Sequence, residues 1–417
     1  MKKLFLSILA FFPLLGMAQV TSVLFLGNSY TGTNNLPGTF YNLALSAGDS
    51  VYYDWNTPGG HTLEGHSTNA NSLAKINERD WDFVVLQDQS QRPSFPPSQV
   101  ATQVYPYAED LVNTINTNSA CTEPVFYMTW GRKDGDQDNC PNYPPLCTFE
   151  GMQDRLRTSY LEMGFDNDAR VAPCGAAWAA LKLDSLTFHD GLYTGDGSHP
   201  SAWGQYLNAC VFYATIFHKS PVGITWYSVV GQSDAEILQA LAEEIVMDSL
   251  DTWNSRVNLP DASVDQSNSG LTVTFGNNST NAVNSFWDLG DGNTSVENAP
   301  VHTYSWDATY DVMYSADNGC GDVDTTHLSV ALTITGIKKP AKMIASVSTI
   351  GNGHFLINLE NEEAAIVSVL STNGKLIQST YPAKNSFQVN LENQANGVYT
   401  AVVQSETGKR KVLKLVR

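Results

Sequence analysis

Beyond its first residues the sequence lacks any apolar run near the roughly 20 residues that a membrane-spanning helix needs. That leaves no transmembrane segment to expect there. Positive charge is scarce: 23 Lys and Arg stand against 42 Asp and Glu, a net charge of −19. Phosphate backbones would be repelled, so nucleic acid is not an expected partner. The six cysteines include no CxxC pair, which removes the usual pattern of a thiolate metal site. An acidic balance otherwise says little beyond solubility.

What the chain does have begins with Lys2-Lys3, an apolar stretch from Leu4 to Leu15, and small residues in Gly16-Met17-Ala18. This is the layout of a secretory signal peptide over 1–18, with the mature chain expected from Gln19. In an exported chain the cysteines can form disulfides. Cys140 and Cys147 flank a Pro-rich loop and are expected to pair; Cys174 with Cys210 is the weaker expectation, and Cys121 and Cys320 are left unassigned.

At 417 residues two or three domains are expected. From 19 to 258, short apolar runs (Val23–Leu26, Phe83–Leu86, Val125–Met128) alternate with helix-like stretches at Leu36–Ala47, Gln99–Ile115 and Glu150–Met163. Continuous apolar runs suit strands buried on both faces of a parallel sheet, and strand–helix alternation implies layered α/β architecture. Trp203–Phe217 and Asp234–Trp253 read as closing helices. From about Asp261 the texture becomes Thr/Val/Asn-rich short runs with turn residues, and a second β-rich unit follows Lys338-Lys339-Pro340. Asn373-Gly374 and Asn396-Gly397 are turn signals within it. The fold class expected is a three-layer α/β/α flavodoxin-like domain with a parallel sheet, followed by two small all-β sandwich domains over 261–335 and 341–417.

The first strand runs into Gly27-Asn28-Ser29-Tyr30-Thr31. Alone, this is a turn whose serine caps a helix. However, a serine at the C-terminal end of a parallel strand also stands where open α/β sheets bind ligands. Near the other end of the domain lies Asp196-Gly197-Ser198-His199-Pro200. A nucleophilic serine needs a base for its proton, and the base needs a carboxylate to hold its tautomer; an Asp-x-x-His turn supplies both. Ser29, Asp196 and His199 are therefore the candidate catalytic residues.

Over about 20–258 the pattern resembles the SGNH/GDSL hydrolases, which place a Gly-Asp-Ser block after the first strand and an Asp-x-x-His block near the domain's end. This chain carries Asn28 at the middle position, and Thr31 breaks the alternative G-x-S-x-G elbow. The resemblance implies oxyanion donors from three places: the Ser29 backbone, a glycine after the second strand, and an amide side chain after the third. Gly60 fits the second, and Gln87, in Leu86-Gln87-Asp88-Gln89-Ser90, stands where the family has Gly-x-Asn-Asp. Gln87 as a merely structural amide is an equal alternative. No metal or other cofactor is expected. His61, His66 and His189 tempt, but their spacing does not form a ligand set. Trp130 and Arg132 border the expected pocket or are a core tryptophan and a surface arginine. Tyr52, Tyr53, Trp55, Trp81 and Trp203 are sugar-stacking candidates or, for the most part, core.

Phe286-Trp287-Asp288-Leu289-Gly290-Asp291-Gly292-Asn293, with Asn298–Tyr304, resembles the polycystic-kidney-disease (PKD) repeat. That implies a spacer or binding β-sandwich with Trp287 in its core and Gly290–Gly292 at a hairpin; its Asp residues also suggest calcium. The last unit, through Val367–Leu370, Asn373–Ile377, Asn396–Tyr399 and Lys409–Lys414, resembles the C-terminal sorting domain of type IX secretion cargo. It implies the type IX secretion machinery as a partner and a secreted or cell-surface location. Together these expectations describe a secreted esterase acting on an ester-bearing glycan or small molecule. The alternative is a non-catalytic surface binding protein on a degenerate hydrolase scaffold.

Overall fold

The computed structural model describes residues 20–184, 186–333, 345–360, 364–380, 385–405 and 409–417. The expected signal peptide and the Lys338-Lys339-Pro340 linker lie outside the described residues.

Five strands form the first sheet: β1 (Thr21–Leu26), β2 (Val51–Asn56), β3 (Phe83–Leu86), β4 (Glu123–Tyr127) and β5 (Arg170–Ala172). All pairings are parallel and the order is β2-β1-β3-β4-β5. Alternate residues of β1 point to opposite faces, as the two-residue strand period requires. Val23 and Phe25 pack with Phe40, Trp178 and Phe212 on one side, while Leu24 and Leu26 pack with Leu111, Leu156 and Tyr160 on the other. Helices Leu36–Ala47, Cys174–Asp184, Ala202–Phe217 and Gln232–Met247 cover the first face; Tyr105–Asn118 and Phe149–Asp166 cover the second. The three-layer α/β/α expectation holds.

Local signals set the helix ends. Helix Leu36–Ala47 starts where Asn35 accepts a hydrogen bond from the Gly38 N–H and stops at Gly48, whose φ of 91° suits glycine. The single helix expected over Gln99–Ile115 is two, Pro97–Gln103 and Tyr105–Asn118. Pro106 is the cause: it has no N–H to continue the ladder, and its ring clashes with the preceding turn. The last expected helix ends at Met247, short of Trp253.

The second region is a pair of antiparallel sheets of three and four strands, with Trp287, Tyr304 and Tyr314 buried between them. Asn284–Asp288 and Thr294–Ser295 form the expected hairpin, and Gly290 and Gly292 take φ of 75° and 91° in its turn. The third region repeats the pattern with sheets of three and four strands. Asn373-Gly374 makes a hairpin turn there, with Gly374 at φ 77°. Asn396-Gly397 does not: it lies on the connection from Ser386–Asn390 in one sheet to Val398–Ser405 in the other.

Cys140 and Cys147 are bonded as expected, and Cys121 is bonded to Cys320 across 199 residues. The second bond ties the turn before β4 to the Asn318–Asp322 turn of the β-rich region. The expected Cys174–Cys210 bond is absent. Both thiols are free and buried in the apolar layer, with Cys174 Sγ directed at the Asn208 carbonyl.

Candidate active site

The strand order reverses direction at β1: β2 lies to one side of it, and β3, β4 and β5 to the other. The loops leaving such a switch point diverge and open a crevice at the C-terminal edge. Ser29 follows β1, Gly60 follows β2, Gln87 follows β3 and Arg132 follows β4, so every expected site residue from these strands belongs to that edge.

Ser29 opens a one-turn helix, Ser29–Gly32, with Asn28 as its cap. Ser29 Oγ lies 2.8 Å from His199 Nε2, and His199 Nδ1 lies 2.5 Å from Asp196 Oδ2. The other Asp196 oxygen accepts from the backbone N–H groups of Ser198 and His199, both at 2.9 Å, and from the Thr194 hydroxyl at 2.8 Å. Partial burial works to raise the Asp196 carboxyl, but the hydrogen bonds from His199, the two backbone N–H groups and Thr194 hold it well below the usual carboxylate range. An ionised Asp196 only accepts, which puts a proton on His199 Nδ1 and leaves Nε2 free to accept from Ser29. Gly197, at φ 66°, closes the turn that brings Asp196 and His199 together.

The loop that carries this pair is held by aromatics. Tyr30 stacks on Trp130 at 4.9 Å between ring centroids, Trp130 stacks on Trp178 at 3.9 Å, and Tyr30 meets the His199 ring edge-on. Trp130 Nε1 donates to the Ser198 carbonyl, and the Tyr30 and Ser198 hydroxyls are 2.6 Å apart. Of the two readings of Trp130, the core one holds, since it is fully buried.

Asn28 explains its own departure from Gly-Asp-Ser. Its Oδ1 accepts from the Tyr30 N–H at 3.0 Å, and its Nδ2 donates to the His61 carbonyl at 2.8 Å and towards the Asp88 carbonyl at 3.4 Å. A carboxylate could fill the first role but not the second. Asn28→Asp would set a buried negative group against two carbonyl oxygens, at a cost of about 1–3 kcal/mol. Although this change writes the more familiar Gly-Asp-Ser, the expected outcome is a lower Tm and slower ester hydrolysis at neutral pH. A variant matching the parent in both would show that the two donor contacts are immaterial.

Gln87 is placed differently from its oxyanion-hole expectation. It has no exposed surface; Oε1 accepts from the Asn28 N–H at 3.0 Å and the Thr31 hydroxyl at 2.9 Å, while Nε2 donates to the Asp88 carbonyl. The side chain thus supports the nucleophile loop from behind, which is the structural alternative for this amide. It also explains Gly27, where an added Cβ would fall 2.4 Å from Thr31 Oγ1 and 2.6 Å from Gln87 Oε1. Gly60 stands at φ 67° on an exposed turn, tied to the nucleophile loop through the Asn28–His61 hydrogen bond. Among the described residues neither the Ser29 N–H nor the Gly60 N–H meets an acceptor.

His66 is a support that sequence reasoning missed. Fully buried, it bonds the Gly27 carbonyl through Nε2 at 2.9 Å and Ser72 Oγ through Nδ1 at 2.7 Å. The carbonyl can only accept, so Nε2 carries the proton and Nδ1 takes one from Ser72. His61 adjoins it, whereas His189 lies against Phe149 and Trp178. Among the described residues no group of three or more His, Cys, Asp or Glu side chains stands ready for a metal. Asp291, one of the aspartates behind the calcium suggestion, has an oxygen 2.8 Å from His302 Nε2. Of the sugar-stacking candidates, Trp81 is buried, whereas Tyr52 and Trp55 are exposed.

Burial sets an acid limit on the fold. It lowers His66, His189 and His218 to about 4 each, from an unfolded value near 6.5. Between those values the unfolded chain binds more protons at these sites, so stability falls as pH drops from about 6.5 towards 4. Asp88, raised by burial to about 6, and Glu123, also raised by burial, work in the opposite direction and offset part of this loss. With three imidazoles against two carboxyls, Tm is expected to decline across that window in a thermal-melt series. A flat or rising Tm would contradict the assignment.

Residues 257–333 match the PKD domain family, and residues 351–416 match the family described as a secretion system C-terminal sorting domain. Among solved structures the chain is similar to a DUF4886 family protein from Bacteroides uniformis, at 16% identity over 55% of this chain and 95% of that one, with a TM-score of 0.47. It is also similar to a protein from Slackia heliotrinireducens assigned as an SGNH hydrolase, at 27% identity, 46% and 97% coverage and a TM-score of 0.38. The PKD1 domain of a Vibrio cholerae metalloprotease is 31% identical over 18% of this chain and 96% of that one, with a TM-score of 0.17. No curated protein matches. Among the described residues no helix is long and apolar enough to cross a membrane. The parallel α/β unit is thus followed by a PKD domain and a type IX sorting domain, and the latter directs the chain to the cell surface or exterior.

Proposed function

We propose that this chain is a secreted serine esterase of SGNH type that removes acetyl groups from glycan esters, with residues 19–258 as its catalytic unit. The observation that carries this reading is the unbroken chain of contacts from Ser29 Oγ through His199 to Asp196 at the mouth of the sheet.

In the reaction Ser29 Oγ bonds to the ester carbonyl carbon as its proton passes to His199 Nε2. The negative oxygen that forms is met by the Ser29 and Gly60 N–H groups. Collapse of this intermediate breaks the ester bond, and the departing alcohol takes the proton from His199. Water then repeats the sequence on the acyl-serine and frees the acid. His199 and Asp196 are both part-exposed, with side-chain exposures of 33% and 49%. A site so near the surface admits a bulky polymer, which favours a glycan over a lipid threaded into a tunnel. The binding-scaffold alternative rested on Asn28 and Gln87, and both have structural duties that leave the triad intact.

The test is a fluorophosphonate probe applied to the full-length protein, with the adduct located by peptide mass. Modification at Ser29, absent in Ser29→Ala, is the expected result. An adduct on another residue, or none, overturns the assignment. Acetate release from a panel of acetylated polysaccharides then tests the substrate class.

A further inference from the structure

The segment after β4 is fastened to the turn that bears Asp196 and His199. The Gly131 carbonyl accepts from the Tyr193 hydroxyl at 2.7 Å, and the Lys133 N–H donates to the Gly197 carbonyl at 2.9 Å. Arg132 lies between these two anchors. Its guanidinium neighbours the Tyr30 phenol, and Tyr30 is the residue after the nucleophile.

For a cation in a protein of net charge −19, Arg132 is poorly paired. Its nearest carboxylate, Asp136, is 3.5 Å from Nη1, longer than a good charge-assisted hydrogen bond. Asp136 is fully buried, and its other oxygen accepts from Gln91 Nε2 and Asn139 Nδ2, both at 2.7 Å, so the carboxylate is held towards those amides. Arg132 Nε is buried without a partner. The neighbouring Lys133, by contrast, has a 3.0 Å ion pair with Asp190. The Arg132 side chain is 24% exposed, so it can be reached from solvent. A planar guanidinium whose ion pair is this long is suited to a two-oxygen anion, which it can grip through parallel N–H bonds.

Resting on the esterase reading above, we propose that Arg132 is a specificity residue that binds an anionic group on the substrate, a carboxylate or a sulfate, beside the ester that Ser29 attacks. The esters preferred are then those of acidic glycans. The neutral acetylated glycans are the poorer substrates.

The experiment compares para-acetoxybenzoate, para-acetoxybenzenesulfonate and the neutral methyl ester of para-acetoxybenzoate as substrates of the full-length protein and of Arg132→Gln. Intrinsic reactivity cancels when the anionic-to-neutral ratio of kcat/KM is compared between the two proteins. That ratio is expected to fall by about tenfold or more in Arg132→Gln, mainly through KM, and to recover in part in Arg132→Lys. The two anionic substrates show whether carboxylate or sulfonate is preferred. A ratio unchanged by Arg132→Gln, including one in which all three rates fall together, overturns the proposal. Hydrolysis of none of the three by the parent protein would instead count against the triad. The anion subsite is then judged by calorimetric titration with para-acetamidobenzoate, an amide that needs no turnover. Weaker binding to Arg132→Gln supports the subsite, and equal or no binding overturns it.

Discussion

Ser29→Ala is expected to lower kcat for a small activated acetate ester by about 10⁴-fold or more while leaving the Tm close to that of the parent protein. The two halves of this expectation have separate causes. The rate falls because His199 Nε2, which lies 2.8 Å from Ser29 Oγ, has no proton to take and no covalent intermediate can form. Stability is kept because the serine hydroxyl does none of the local structural work. The one-turn helix is capped by Asn28, the loop is pinned by Gln87 and His66, and the Ser29 N–H remains in place in an alanine. Any residual activity is expected from the proposed oxyanion donors, the Ser29 and Gly60 N–H groups, and from substrate binding. Equal rates for the two proteins, measured with full-length chains at matched concentration, would end the esterase reading. A large fall in Tm would show instead that Ser29 was the structural cap that its sequence context first suggested.

That ambiguity over Ser29 shows where the sequence was informative and where it was not. Apolar runs such as Val23–Leu26 and Phe83–Leu86 announced buried parallel strands because burial on both faces leaves only one kind of residue to use. Their loops therefore had to meet at one edge, and the pairing of Ser29 with Asp196 and His199 followed from residue types that few structural roles require together. Gln87 was harder to place. An amide after β3 is equally suited to face a substrate or a backbone, and only the positions of Asn28 and Thr31 decide which. Hydrogen-bond direction is not written in composition or spacing. His66 and Tyr30 were opaque for the same reason: one holds a carbonyl behind the nucleophile and the other props the His199 ring, and both look like ordinary buried residues in the sequence. The cysteines divide similarly. Cys140 and Cys147 are close in sequence and had little choice, whereas Cys121–Cys320 spans 199 residues and depends on how two separately folded units meet.

Asp196→Asn is the second large effect, about 10⁴-fold in kcat, and it isolates orientation from architecture. The amide oxygen can still accept from the Ser198 and His199 N–H groups, so the turn closed by Gly197 should survive with little change in Tm. The amide nitrogen then occupies the place of Oδ2, 2.5 Å from His199 Nδ1. It is a donor, and two donors cannot face one another, so the imidazole moves its proton to Nε2 and accepts through Nδ1. His199 then presents an N–H to Ser29 Oγ and cannot take its proton. The imidazolium also loses its carboxylate counter-charge. The loss should appear in kcat with little change in KM, because ester binding does not use this contact. Asp196→Ala provides the contrast: it removes the same catalytic partner and also the acceptor for two backbone N–H groups and the Thr194 hydroxyl, so Tm should fall as well. If Asp196→Asn kept kcat within tenfold of the parent, His199 would have to draw its tautomer from another acceptor. Asp196 would then be a turn residue and not the third member of the triad.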